Sequence, residues 1–170
     1  MGINFRIVLK EVDETYPEGL TPPEIALYIS EKKANAFDEL INDEIVITAD
    51  TIVVIDGCIL GKPENHEHAV EILSTLSGNM HEVITSVSLR KKDRIHSFYE
   101  VSEVFFKPIT EGQIRFYIEN GNPMDKAGAY GIQEWIGLIA IERINGSYTN
   151  VVGLPTHRLY QELSSFIQMV

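Results

Sequence analysis

Cysteine is almost missing from this chain. Cys58 is the single one among 170 residues, so no internal disulfide framework staples the fold, and a reducing cytoplasm is the expected compartment. Cys58 lies in the apolar run Cys58-Ile59-Leu60, where packing is the expectation rather than nucleophilic chemistry. Basic residues are scarce too: 14 Lys and Arg face 25 Asp and Glu, for a formal net charge of −11. A protein that wraps a nucleic acid polymer needs a basic face, so that class is excluded. A small anion held by a few local lysines with a metal ion is not. No apolar run reaches the roughly 20 residues of a membrane span. The stretch Met1-Gly2-Ile3-Asn4-Phe5-Arg6 lacks a signal-peptide core, and Arg6 stands where myristoylation requires Ser or Thr. Neither a GxSxG elbow nor a CxxC pair occurs.

What is present is enough apolar material for a core. Hydrophobic residues make up 44% and the mean hydropathy is −0.02. A soluble globular protein of one domain, residues 1–170, is expected. Phe5 to Leu9 reads as a short strand. Thr21-Pro22-Pro23-Glu24 opens a helix by a capping box with prolines in its first turn, running to about Leu40, with Ile25, Ile29 and Ala36 inward. Ile45 to Ile55 reads as a buried strand interrupted at Asp50, and Asp56-Gly57 as a hairpin turn. Asn65 caps a helix to Leu76, which stops at Gly78. Val83–Arg90 and Ile95–Lys107 read as paired strands. Thr110 and Gln113 form a capping box for a helix ending at Gly121. Leu138–Ile144 and Tyr148–Val152 flank Asn145-Gly146, read as a second hairpin. Pro155 starts a final helix through Leu159, Leu163 and Phe166. Strands interspersed with helices predict an α/β fold, a mixed twisted sheet with helices packed on it.

One loop carries several chemically apt groups together: Asp125-Lys126-Ala127-Gly128-Ala129-Tyr130-Gly131-Ile132-Gln133. Its glycines allow close approach of backbone to a ligand. The Gln133 amide offers a donor and an acceptor to a nucleobase edge, and the Tyr130 ring could pack on a base face. Asp50 is the most conspicuous carboxylate. It stands inside Ile45–Val54, where a charge is costly unless paired or bound to metal; the competing reading is an aspartate that satisfies a strand break. Asp13 and Glu14 lie on the loop after the first strand, either simply solvated or joining Asp50 around a hard divalent cation. Gly61-Lys62-Pro63 falls short of a P-loop but presents a lysine on a rigid turn, suited to phosphate. Lys33, beside Ala34, reads alone as a snorkelling surface lysine. His66 and His68 do not share a helix face, so zinc is not expected, and they are read as exposed along with His81, His96 and His157.

Four stretches in register, Ala49-Asp50-Thr51-Ile52-Val53, Gly61-Lys62-Pro63, Asp125 to Gln133, and Ile144-Asn145-Gly146-Ser147-Tyr148 through Val152-Gly153-Leu154-Pro155, resemble the Maf family of nucleoside triphosphate pyrophosphatases. Gln133 in its Ala-Gly-Ala-Tyr-Gly-Ile-Gln context resembles the branch acting on dTTP and UTP. The resemblance implies two lobes around a central cleft, a catalytic Asp50 that activates water or holds metal, and Glu14 as a second ligand of Mg or Mn. It implies Lys33 and Lys62 on the triphosphate, Thr51 and Gln133 at the base, and frequent homodimers. Members of the family open with a Ser-x-Ser-Pro-Arg-Arg turn after a strand. No such segment occurs here, so an N-terminally incomplete domain is the expectation. Two functions follow: hydrolysis of dTTP or UTP to monophosphate and pyrophosphate, or nucleotide binding without catalysis, acting through partners in control of cell division at the septum.

Overall fold

A computed structural model describes residues 2–37 and 44–169. The elements, in chain order, are α1 (Pro22–Asn35), β1 (Val46–Ile55), β2 (Cys58–Leu60), α2 (His66–Leu76), β3 (Met80–Lys91), β4 (Arg94–Phe106), α3 (Glu111–Asn120), α4 (Trp135–Ala140), β5 (Ile141–Asn145), α5 (Tyr148–Val152) and α6 (Thr156–Met169). The strands form one sheet in the order β2-β1-β3-β4-β5, and each of these ladders is antiparallel.

Local chemistry accounts for most of these boundaries. The Glu24 carboxylate accepts from the Thr21 backbone amide at 2.7 Å, closing the first turn of α1. The Asn65 side chain accepts from the His68 amide at 2.9 Å to start α2, and Thr110 with Gln113 starts α3. Asp56 and Gly57 both have positive φ, 50° and 77°. That is the pairing a two-residue hairpin requires, and β2 folds back on β1 through it.

The second half of β1, Ile52–Ile55, is apolar on both sides because both sides are covered. Ile52 and Val54 pack with Ala26 of α1 and Ile84 of β3. Val53 and Ile55 point the other way, into the larger core with α2, α3 and the 125–133 loop. A third cluster joins Val87, Leu89 and Phe98 to Leu159, Leu163 and Phe166 of α6. β2 is short and covers only Val53–Ile55. Among the described residues, therefore, the Val46–Ile52 edge of β1 pairs with no second strand.

Several expectations are corrected. Phe5–Leu9 forms no strand; Phe5, Ile7 and Leu9 are 82%, 79% and 92% exposed. An extended apolar stretch becomes a strand only where a neighbour takes up its amides, and among the described residues none does. It is held instead by polar ties, including Arg6 to Glu44 at 2.6 Å. α1 ends at Asn35, and Ala26 and Ala34 are its fully buried alanines whereas Ala36, beyond its end, is only half-buried; Leu40 lies outside the described residues. β1 runs through Asp50 without a break, Asp50 pairing with Ser86. Cys58 is exposed at the hairpin. Asn145-Gly146 does not make a hairpin. Leu138 is helical, Ile141–Asn145 pairs with β4, and the Ser147 hydroxyl caps α5 by accepting from the Asn150 amide at 3.3 Å. A turn followed by a serine can start a helix as readily as a strand.

Asn150 ties α5 to the sheet. It is fully buried, and its side-chain amide donates to the Val83 carbonyl and the Ser102 hydroxyl, both at 2.9 Å. Asn150→Ala should destabilise the fold by roughly 2–4 kcal/mol, from two acceptors left short of a donor and a small void. Urea denaturation measures this. A loss under about 0.5 kcal/mol, the level of an ordinary surface change, would show that α5 is held by other contacts.

Candidate functional site

A cleft of about 500 Å³ opens at the uncovered edge of β1 and reaches both faces of the sheet. Glu14, Lys33, Asp50, Thr51, Lys62 and Gln133 all line it. The six residues to which the family resemblance assigns roles are thus brought together. Asp125 and Lys126 line it as well, so three carboxylates and three lysines face one space.

The strand's alternation divides the labour between neighbours. Asp50 points to the face of α1, where Lys33 lies in the last turn. The Lys33 ammonium donates to Asp50 Oδ1 at 2.7 Å and meets Glu14 Oε1 at 2.8 Å. The Asp50 side chain is 10% exposed, so this pairing is what makes a mid-strand charge tolerable. Burial works against the Lys33 charge, but hydrogen bonds to Asp50 and Glu14 outweigh it and raise its pKa above the ordinary lysine value. The hydrogen bond from Lys33 lowers the pKa of Glu14, overcoming partial desolvation. Lys33 is therefore a structural cation of the site, not a snorkelling surface lysine. Lys62 reaches Glu14 at 3.7 Å with 57% of its side chain exposed, a loose contact compatible with reaching a ligand.

Glu14 arrives by way of its neighbours rather than by regular structure. Asp13 takes the Thr15 amide at 3.0 Å and the Lys32 ammonium at 3.1 Å. These bonds turn Asp13 toward Lys32 and leave Glu14 facing the cleft. Asp13 lies outside the set of residues that line it.

Thr51 points to the opposite face. Its hydroxyl bonds that of Thr85 at 2.9 Å, and Thr85 donates to the Asn150 carbonyl at 2.9 Å. The loop bearing Gln133 closes this side. Gly128 has φ +68°, and a Cβ there would fall 2.9 Å from Val53 Cγ2, so only glycine lets the loop lie on β1. Its amide donates to the Gly61 carbonyl at 3.1 Å, joining the loop to the turn that carries Lys62. Gln133 itself is exposed at the cleft.

Tyr130 and His81 depart from expectation together. Tyr130 is 6% exposed and His81 1%; His81 Nε2 and the Tyr130 hydroxyl are 2.8 Å apart. Both rings pack edge-on against Phe106. Tyr130 therefore anchors the loop from below instead of offering a free face to a base. Burial pushes the His81 pKa down to about 4. His81 lies two residues before Val83 and so on the same face of β3, and that period is the signal by which its burial could have been read. Tyr117 stands with Ile114 and Ile118 at the helical spacing that marks the inward face of α3; Glu134 carried no such signal.

Asp50 and Glu14 are the residues suited to hold a divalent cation. Their oxygens already converge on one positive centre, the Lys33 nitrogen, at 2.7 and 2.8 Å. Among the described residues no group of three or more His, Cys, Asp or Glu is arranged to hold a metal. A cation here would take its other ligands from water and phosphate, the usual habit of Mg²⁺.

Comparison with known proteins gives a consistent result. Residues 1–166 match the model of a family described as Maf-like protein. The chain is similar to a dTTP/UTP pyrophosphatase of Cytophaga hutchinsonii, 51% identical over 162 residues covering 95% of this chain and 74% of the relative. A protein of the same name from Bacteroides thetaiotaomicron is 48% identical over 165 residues, covering 96% and 86%. Another from Flavobacterium johnsoniae is 45% identical over 168 residues, covering 98% and 87%.

The Lys33 pairing has a testable pH signature. Because the folded pKa of Glu14 is lowered, its contribution to stability is present above the unfolded value of about 4.3 and is lost as pH falls through the folded value. Lys33→Met removes the cause. The variant should be less stable than the parent at pH 6, and the gap should narrow as pH falls toward 3. Urea denaturation across that range checks it, and a gap independent of pH would show that Lys33 contributes through packing alone.

Proposed function

This chain belongs to the Maf-like protein family, and from that premise we propose that it hydrolyses dTTP and UTP to the nucleoside monophosphate and pyrophosphate. The observation that carries the reading is the convergence of Asp50, Glu14, Lys33 and Lys62 on one cleft whose far wall presents Thr51 and Gln133. The names of relatives at 45–51% identity support the enzyme over the alternative of a binding protein without catalysis.

In this reading the triphosphate lies along the lysine side of the cleft and the base along the Gln133 side. Lys33 and Lys62 donate to phosphate oxygens and offset their charge. Lys33 turning to phosphate releases the Asp50 carboxylate, which then accepts a proton from a water aimed at the α-phosphorus. The water oxygen bonds to phosphorus, the α–β bridging bond breaks, and pyrophosphate leaves with the electron pair. Asp50 and Glu14 are the residues that would hold Mg²⁺ or Mn²⁺. Such a cation would neutralise phosphate charge and lower the pKa of a bound water. The Gln133 amide, with a donor and an acceptor, suits a pyrimidine edge, and Thr51 completes the base side.

Pyrophosphate release from dTTP and UTP tests the assignment directly. Asp50→Asn keeps the shape and removes the base, so turnover should fall by about 10² or more when assayed below the variant's melting temperature, which drops because Lys33 keeps only Glu14 as its carboxylate partner. Turnover within about threefold of the parent, well short of what losing a general base costs, would remove Asp50 from the mechanism.

Lys62 offers a second, independent check. Lys62→Ala should weaken binding of α,β-imido-UTP by about tenfold, the scale of one charge-assisted hydrogen bond, and leave UMP binding nearly unchanged. Calorimetric titration reads both. Equal losses for the two ligands would make Lys62 a surface lysine on an ordinary turn.

A further inference from the structure

Tyr117 is a buried ionisable group that the proposed chemistry does not use. Its ring, on α3, is 1% exposed, and its hydroxyl is where the Gln133 loop is fastened. That hydroxyl donates to Glu134 Oε2 and accepts from the Gly131 amide at 3.2 Å. One oxygen therefore grips the chain on either side of Ile132 and Gln133.

The fastening is rigid on both sides. A Cβ on Gly121 would fall 2.4 Å from Tyr117 Cε2, so the end of α3 lies directly against the ring. A Cβ on Gly131 would fall 2.9 Å from Glu134 Cδ and 3.0 Å from Lys126 Cε, so the loop lies as closely on its polar partners. Glu134 Oε1 meets the Lys126 ammonium at 3.0 Å, and Lys126 also donates to the Asn122 carbonyl at 2.5 Å and Asp125 at 2.8 Å. Burial, with the Glu134 hydrogen bond, raises the Tyr117 pKa, so the hydroxyl keeps the proton it donates. The hydrogen bonds from Tyr117 and Lys126 outweigh desolvation and keep Glu134 below the usual carboxylate range.

We propose that Tyr117 is a positioning residue for base selection, setting Gln133 in place through Gly131 and Glu134 and thereby governing discrimination among nucleobases. The proposal rests on the reading of Gln133 as the base-contacting group. An amide that must present its donor and its acceptor in register tolerates only about 0.5 Å of drift. Asp50, Lys33 and Lys62 lie on other elements, so cleavage itself is buffered from the loss. The opposite end of the loop stays held by Gly128 on Gly61 and by Tyr130 on His81.

Tyr117→Phe keeps the ring and removes the oxygen, and kcat/KM for UTP and CTP gives the readout. The UTP:CTP ratio should fall about fivefold or more, because hydrogen-bonding sites discriminate by leaving the wrong partner unpaired, while kcat for UTP changes less than about threefold. On a Gln133→Ala background the same change should leave the ratio where Gln133→Ala alone puts it, the signature of two residues acting as one. Glu134→Gln keeps an acceptor for Tyr117 but drops the charge facing Lys126, and should move the ratio in the same direction. It carries the test if Tyr117→Phe unfolds. A uniform loss across nucleotides, or a further change of ratio on the Gln133→Ala background, would overturn the proposal and make Tyr117 a packing residue. If Gln133→Ala alone leaves the ratio unchanged, the base-selection reading itself fails and the proposal falls with it.

Discussion

An aspartate in the middle of an apolar strand is untenable unless a positive charge meets it, and here the Lys33 ammonium does so at 2.7 Å. Much of the site's arrangement follows from that contact. α1 packs on β1 and β3 so that its last turn delivers Lys33 to Asp50. The segment before α1, with no regular structure of its own, is drawn in by Lys32 on Asp13 and Lys33 on Glu14. Removing one charge from such a set leaves the others uncompensated, which is costlier than the net value of the pair. The same electrostatic closure is what a charged ligand would have to open, since phosphate and cation each offer the opposite partner to one half of it.

The cleft owes its shape to a sheet edge. β2 covers three residues of β1 and stops, so the cleft reaches both faces of the strand beside Asp50 and Thr51. Because side chains alternate, these neighbours serve two walls. Asp50 turns to the charged wall of α1, and Thr51 to the hydrogen-bonded wall built by Thr85, α5 and the glycine loop. A single dipeptide thus connects the side suited to phosphate with the side suited to a base.

The loop that carries Gln133 is held from three directions. Gly128 lies on Val53 and bonds Gly61, Tyr130 is buried against His81 and Phe106, and Gly131 with Glu134 is held by Tyr117. Rigid support of this kind suits the discriminating role proposed for Gln133, because a donor–acceptor pair read by one amide has little tolerance for movement.

Local signals in the sequence were sufficient for what depends on neighbours in the chain. The capping residues Thr21, Asn65 and Thr110, the Asp56-Gly57 turn and the apolar period of α6 each specify their element, because the partners lie within a few residues. The residue types at Asp50, Lys62 and Gln133 also exposed them as candidates, since a charge or amide in that setting needs a reason; Lys33 read alone as a surface lysine and came forward only through the family resemblance. Three things lay beyond that reach. Phe5–Leu9 has strand character without a strand, because a ladder needs a partner that local sequence does not name. Asn145-Gly146 turns the chain into a helix because Ser147 caps it and Asn150 is buried among Val83 and Ser102. His81, Tyr130, Tyr117 and Glu134 acquire their roles from neighbours brought together across 8 to 49 positions of chain. Hydrogen bonds and burial between distant residues are set by packing, and packing is decided only when the sheet and its helices close on one another.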